Sequence, residues 1–484
     1  MRVALRRVAA AALSPCLVAA CSLGPRYRQP PADIPAAFVA SAAGAQAAWP
    51  APDWWQGFGS PELDALIAQS RSANEDLAAA AARIVQADAQ VRISGAPLLP
   101  SLIAQGTQDY TRQGSGSSHS SFSSVGSSLL GGRSGGSRYY NDFRTYSGQF
   151  QISYDVDFWG RNRALYRSAQ FAALATRFDQ QTVALDIVTS VASTYFTLLA
   201  YQDRTRFAER NLRDAEQILG AYRARVAVGT ATALDVSQQE ALVAGERAAL
   251  PNLRNQGEQE RIALGILLGV PPERLLVRGG SLDVLHIPGV TPGLPSEMLA
   301  RRPDVAYAEA EVHSQNGNIQ AARAAFFPTI QLTASGGVQS AVLSAITGPG
   351  TLIAALGTSV TQSIFDNGLR RGQYRQAEGR FQELAANYRK SVLQAFTDVE
   401  QALVALRYTT EQEKLEREAV RVAEQSATIA RAQLLAGTID IITELNTQAT
   451  LFNDLDLLAQ IRLARFQASV NLFKALGGGW SGEV

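Results

Sequence analysis

The chain contains two copies of one pattern. Leu98-Leu99-Pro100-Ser101-Leu102 matches Phe326-Phe327-Pro328-Thr329-Ile330 at an offset of 228, and Val228-Gly229-Thr230 matches Ala436-Gly437-Thr438 at an offset of 208. Phe158-Trp159-Gly160-Arg161 pairs with Asp366-Asn367-Gly368-Leu369, again at 208. The drop from 228 to 208 puts about 20 extra residues into the first copy, between Pro100 and Gly160. That interval holds residues 114–137, of which 18 of 24 are Gly or Ser. Such a stretch reads as a surface loop inserted into one copy rather than as a different fold. Two copies of roughly 200 residues restrict the architecture more than any other feature.

Each copy uses two periods in turn. From Gly160 to Gly229 and from Gly368 to Gly437 there is no proline, and Ala, Leu, Arg, Gln and Glu dominate, all good helix formers. Val188, Val191, Tyr195 and Leu198 recur at spacings of three and four, as do Phe396, Val399, Leu403 and Leu406. Each set is one apolar stripe on a helix. Long helices are predicted over about 161–227 and 369–435; at about 1.5 Å per residue each spans roughly 100 Å, a coiled-coil rod. Tight turns at Gly229-Thr230 and Gly437-Thr438 lead into return helices over about 233–268 and 442–475.

Upstream of each rod the period falls to two. Phe150, Ile152, Tyr154, Val156 and Phe158 alternate with Gln151, Ser153, Asp155 and Asp157, a strand over about 147–158 with one apolar and one polar face. Strands over about 101–113, 329–339 and 352–365 complete the set. Tilted strands of about nine to eleven residues span an outer membrane. Four strands cannot close a barrel, and an open edge in lipid leaves backbone groups unpaired. The chain is therefore expected to assemble with copies of itself, a cyclic trimer supplying twelve strands.

Lys and Arg number 44 against 43 Asp and Glu, which leaves no basic footprint for a nucleic acid. The three histidines, His119, His286 and His313, are far apart, and the only cysteines are Cys16 and Cys21. Metal, iron–sulfur and disulfide chemistry have almost nothing to work with. Beyond the N-terminus no uncharged apolar run reaches the roughly 18 residues of a transmembrane helix, so a helical membrane protein is not expected. Arg2, Arg6 and Arg7 precede the small apolar run 8–20, as in an export signal. That run ends Leu17-Val18-Ala19-Ala20-Cys21, which resembles a bacterial lipoprotein signal with Cys21 as the lipidated residue. Ser22 after it, rather than Asp, fits sorting to the outer membrane.

The expected organisation is a signal peptide over 1–20 and a lipidated N-terminal segment over 21–60. Repeat 1 covers 61–275, a connecting equatorial segment 276–300, repeat 2 301–475 and a C-terminal tail 476–484. Along this order run Cys21-Ser22-Leu23-Gly24-Pro25, Trp54-Trp55-Gln56-Gly57-Phe58 with Pro61 and Leu63, Ala82-Arg83, and Asp157-Phe158-Trp159-Gly160-Arg161. They continue with Arg301-Arg302-Pro303-Asp304-Val305, Ile364-Phe365-Asp366-Asn367-Gly368 and Ala475-Leu476-Gly477-Gly478-Gly479-Trp480. The ordered set resembles the bacterial outer-membrane factors, the TolC-type channels, and most of all their OprM-like (NodT) lipoprotein branch.

That resemblance implies a mainly α fold with a β-barrel part. Two repeats of strand, strand, long helix and helix would build a homotrimer whose twelve-stranded transmembrane barrel continues into a periplasmic α-helical barrel. It implies an outer-membrane exit duct for drugs or other small molecules, docked on a periplasmic adaptor and an inner-membrane pump of RND type. The lipid on Cys21, with outer-membrane lipids around the barrel, would be the only non-protein group, with no cofactor and no metal. The family closes its tunnel just after the helix turns, which makes Asp235, Asp440, Glu444 and Asn446 the aperture candidates. Gly229, Thr230, Gly437 and Thr438 mark the tips for adaptor docking. Many relatives have an aspartate where Asn446 stands and some an arginine at Ile439, so that ion-pair pattern is missing here. Three copies of Asp440 or Glu444 would form a cation-binding ring, or else these are solvated residues at a helix start.

Two other readings stay open. One is the exit channel of a type I protein secretion system, with the same fold; the other is a periplasmic coiled-coil adaptor without a pore. Lipidation at Cys21 and the Gly477–Trp480 ending favour the efflux branch, and the apolar row Phe150/Ile152/Tyr154/Val156 disfavours the adaptor. No enzyme is indicated. Asp155 and Asp157 share a predicted strand face without a base, ligand or Gly-rich pocket beside them, and read as lumen-facing carboxylates. Lys390-Ser391 has Arg389 where a P-loop has glycine, and Gly477-Gly478-Gly479 is a helix stop.

Overall fold

The computed structural model describes residues 27–39, 49–114, 140–290 and 292–480. The expected signal peptide, Cys21 and most of the Gly/Ser-rich stretch lie outside them. The elements in chain order are α1 (Pro61–Ala73), α2 (Glu75–Gly95), β1 (Ser101–Gly114), β2 (Tyr140–Val156), α3 (Arg161–Ala227) and α4 (Ala233–Leu267). There follow the short α5 (Pro295–Leu299), α6 (Pro303–Ala324), β3 (Thr329–Ser340), β4 (Leu352–Thr361), α7 (Leu369–Leu435) and α8 (Ile441–Ala475). The described residues divide into two compact units, one within 90–169 and 315–379, the other within 27–89, 170–314 and 380–480.

The first unit is built on one antiparallel sheet in the order β1-β2-β3-β4. Its register sorts side chains by chemistry, because residues directly opposite in a sheet share a face. Leu102 faces Ile152, Ile152 faces Ala334 and Ala334 faces Leu356. Tyr154 faces Leu332, and Val156 faces Ile330, which faces Val360. The other face carries Gln105 against Gln149, Thr107 against Ser147, and Ser153 against Thr333, with Asp155 against Gln331. The apolar face is open: Leu356 is 89% and Leu352 80% exposed. Gly337 lets β3 come close to β2, since a Cβ there would lie 2.2 Å from the Gly148 carbonyl oxygen.

The strand ends depart from the alternation in the sequence. β2 begins at Tyr140 rather than near 147, because residues 140–146 pair with β1 although their apolar alternation has lapsed. It stops at Val156. Asp157, expected on the polar strand face beside Asp155, instead accepts the N–H groups of Asn162 and Arg163 at 2.9 and 2.8 Å and caps α3. β4 stops at Thr361 rather than 365, and the Gln362 amide turns back to donate to the Phe326 carbonyl at 3.2 Å.

The second unit is helical and has two main cores. One joins Trp54, Phe58 and Ile67 to Val191, Phe196 and Leu199 of α3, Leu264 of α4, and Val470 and Phe473 of α8. The other joins Phe38, Met298 and Val312 to Tyr388, Val392 and Val399 of α7 and Leu472 of α8. The stripe of α3 lies in the first core and that of α7 in or against the second, so the periodicity marks buried faces. By length and composition α3 holds an 18-residue window apolar enough to cross a membrane. Asp186 interrupts that run, and Val188, Val191 and Leu198 beside it are spent on the core.

The repeat is visible in atomic contacts. Gly269 has φ +64°, and a Cβ there would lie 1.9 Å from the Ala73 carbonyl oxygen; Gly477 has φ +86°, and its Cβ would lie 1.9 Å from the Arg301 oxygen. The Asn74 amide donates to the Leu267 carbonyl at 2.9 Å, and the Arg302 guanidinium donates to the Ala475 carbonyl at 3.2 Å. Gly269 to Gly477 and Leu267 to Ala475 are steps of 208, while Ala73 to Arg301 and Asn74 to Arg302 are steps of 228. Each return helix thus ends against the same place in its own repeat, with carbonyls that would otherwise be orphaned at the helix C-terminus satisfied by a side chain.

Candidate functional site

α3 and α7 both end in a glycine with positive φ, Gly229 at +75° and Gly437 at +76°. Only glycine adopts this without cost, and it lets the last turn close as a Schellman-type cap. The Thr230 N–H reaches the Arg225 carbonyl at 2.9 Å and the Thr438 N–H reaches the Gln433 carbonyl at 3.0 Å. Both threonine hydroxyls donate to the same carbonyls, at 3.1 and 3.0 Å. Gly229, Thr230, Gly437 and Thr438 are all exposed. The turns meet through a small core of Ile218 and Tyr222 from α3, Leu434 from α7 and Ile441 from α8, with Val236 and Leu445 packed against it. The Arg225 guanidinium donates to the Leu434 carbonyl at 3.2 Å, tying α3 to the end of α7.

The four aperture candidates fall into three different environments. Asp235 completes a capping box: it accepts from the Thr232 N–H at 2.8 Å, while its own N–H donates to the Thr232 hydroxyl at 3.2 Å. Asp440 is the N-cap of α8 and accepts from the Thr443 N–H at 2.8 Å. The Thr443 side chain and backbone together hold its carboxyl below the usual carboxylate range. Within the protomer both carboxylates are thus engaged in helix starts. Asn446 is exposed, and its carbonyl accepts from the Thr450 hydroxyl at 2.9 Å.

Glu444 differs from all of these. It is 1% exposed, and among the described residues neither carboxylate oxygen has a hydrogen-bond partner. Burial pushes its pKa up to about 7; Arg431 opposes that rise and Asp214 adds to it. Arg431 is itself committed elsewhere, to Asp214 at 3.3 Å and to Gln217 at 2.6 Å. Tyr222 lies in the same field: burial raises its pKa, Arg225 opposes, and Asp235, Glu444 and Asp440 add to it.

Asp214, Gln217, Tyr222, Arg225 and Arg431 are not distinguished by the sequence pattern alone. The repeat does single out Glu444: 444 minus 208 is position 236, a valine, so the second copy puts an acid where the first puts an apolar side chain. Among the described residues no group of three or more His, Cys, Asp or Glu is placed to hold a metal ion.

A family model described as outer membrane efflux protein matches residues 66–270 and 294–478. The chain is 37% identical over 476 residues to the pyoverdine export outer membrane protein OpmQ of Pseudomonas aeruginosa, covering 97% of each. It is 31% identical over 475 residues to the probable efflux pump outer membrane protein TtgC of Pseudomonas putida, covering 97% of this chain and 95% of that one. Among solved structures it resembles the outer-membrane channel OprN, with a TM-score of 0.85 at 25% identity, covering 95% of this chain and all of the other.

Proposed function

The chain belongs to the outer membrane efflux protein family, and on that footing we propose that it is the passive exit duct of a tripartite pump. It is an outer-membrane channel of an efflux system, not an enzyme. The single observation that carries the mechanism is the sheet register. One face carries apolar rows that cross the whole sheet, Leu102–Ile152–Ala334–Leu356 among them, and the other bears mainly Gln, Ser and Thr with Asp155. Among the described residues β1 and β4 each pair on one side only. Lipid tolerates neither the polar face nor the open edges, so closure must come from other copies. Three chains close the barrel with the apolar face toward lipid and the polar face around a water-filled pore.

The long helices carry that pore into the periplasm. The turns at Gly229-Thr230 and Gly437-Thr438 meet a periplasmic adaptor, which connects to an inner-membrane pump of RND type. Conduction is passive, and the partner supplies the energy. Asp235, Asp440, Glu444 and Asn446 border the closing point, and opening moves the helix pairs outward. Cys21 carries a covalent lipid that anchors the N-terminus without bearing the insertion, since a single acyl chain binds a membrane only marginally. The cargo is small molecules, in keeping with the export and efflux roles in the relatives' names.

The test is purification in detergent, mass measurement and single-channel recording in a planar bilayer. A trimer with a stable conductance is expected. A monomer that stays in solution without detergent and conducts nothing would overturn the proposal.

A further inference from the structure

We propose that Glu444 is a proton-operated latch on the turn of the second repeat: protonated, it stays packed and holds the α7–α8 turn closed against α3. Ionised, it leaves its slot or draws Arg431 away from Asp214, and the turn loosens. The inference rests on the channel reading above and adds a regulator to it.

The geometry allows Glu444 few states. A carboxylate with 1% exposure and, among the described residues, no partner on either oxygen cannot keep a negative charge without rearranging, because an unpaired buried charge costs far more than a neutral acid. The charged groups around it are already engaged. From α3, Asp214 holds Arg431, Arg225 holds the Leu434 carbonyl, and Tyr222 is buried beside it. From α4, Asp235 is tied to Thr232, and Glu240 accepts from Arg223 at 2.7 Å. On its own helix, Asp440 is tied to Thr443. From α7, only Arg431 opposes the rise in pKa. An ionised Glu444 therefore competes with Asp214 for Arg431, and the Arg431–Asp214 pair is one of the bonds that join α3 to α7.

The other repeat says what the slot accepts when no switching is built in. Val236 occupies the related position and is packed against the same small core. Glu444→Val is therefore a variant whose side chain the fold already houses at the related site, and Glu444→Gln provides a polar one.

The full-length protein is purified in detergent, and hydrogen exchange of the amides over 440–448 is followed at about pH 6 and about pH 8, corrected for intrinsic rates. Bilayer open probability is recorded on the same samples. For an acid with a pKa near 7 when packed and near 4.5 when released, the packed-to-loose equilibrium shifts about tenfold per chain between those two pH values. The wild type is expected to show that rise in exchange, with an increase in open probability. Glu444→Val and Glu444→Gln should show neither. A wild type without the exchange step, or a step that survives in both variants, overturns the latch. So does a step that survives Glu444→Val and disappears in Asp440→Asn, which would assign the titration to Asp440. If the exchange step follows Glu444 but no sample conducts, the latch stands and the channel reading falls.

Discussion

The turns that follow α3 and α7 share a glycine conformation and the hydrogen bonds that close them. Each has a glycine near φ +75°, a threonine returning to the carbonyl five residues back, and an N-cap two residues beyond that threonine, Thr232 in one and Asp440 in the other. Four residues past the cap they part. Position 236 is a half-buried valine packed on apolar neighbours, and position 444 is a carboxylic acid in a drier place, 1% exposed. A symmetric backbone thus carries an asymmetric charge. Repeat geometry is set by glycines and caps, whereas what the repeat can sense is set by a single side chain that geometry alone does not constrain.

The comparison can be broken most forcefully at the far ends of the return helices. Arg302 is 8% exposed, holds Asp304 and Asp398 at 2.7 and 3.0 Å and donates to the Ala475 carbonyl. Arg302→Ala unties two carboxylates about one-third exposed and the Ala475 carbonyl, and chemical unfolding in detergent should show a loss of about 3 kcal/mol. Its counterpart Asn74→Ala removes only hydrogen bonds and should cost about 1–2 kcal/mol in the same measurement. Equal losses would mean the ion cluster adds nothing.

Gly269→Ala and Gly477→Ala should hurt alike, by about 3 kcal/mol each, since both force a methyl into a backbone oxygen at positive φ. Unequal unfolding midpoints would show that one repeat relaxes where the other cannot.

Next comes the exchange of the unlike pair. The pKa of Glu444 is higher packed, about 7, than its ordinary 4.5. Its contribution to packing is therefore fully present below about pH 4.5 and is lost as pH rises through about 7, amounting to at most about 3 kcal/mol per chain. Unfolding of the wild type should weaken over that window, Glu444→Val should be flat across it, and Val236→Glu should add a second loss. Smallest are the caps: Thr232→Ala and Asp440→Ala should each cost about 1 kcal/mol, read as thermal midpoints.

Much of this was legible beforehand because period and punctuation are local. Proline-free stretches bounded by glycine mark α3 and α7, and alternation marks the part of β2 from Gly148 to Val156. Where the reading slipped, the deciding interaction was not periodic. Asp157 looks like the next polar strand residue until the N–H groups of α3 claim it, and residues 140–146 lie outside the alternation until β1 pairs with them. For the site, the sequence identifies the acids near the turns but not which of them is buried. Asp440 and Glu444 sit four residues apart on one helix, and their difference arises from what α3 and α7 bring against them.

The half-paired edges of β1 and β4 carry a consequence for how such a protein is made. A single chain that reached the bilayer alone would present two rows of unsatisfied amides and a polar surface to hydrocarbon, each group costing several kcal/mol. On the trimeric assembly proposed above, insertion and association therefore cannot be successive steps with a stable intermediate between them. The rate of biogenesis should depend steeply on the local concentration of arriving chains, and whatever delivers them must keep those edges from pairing too soon.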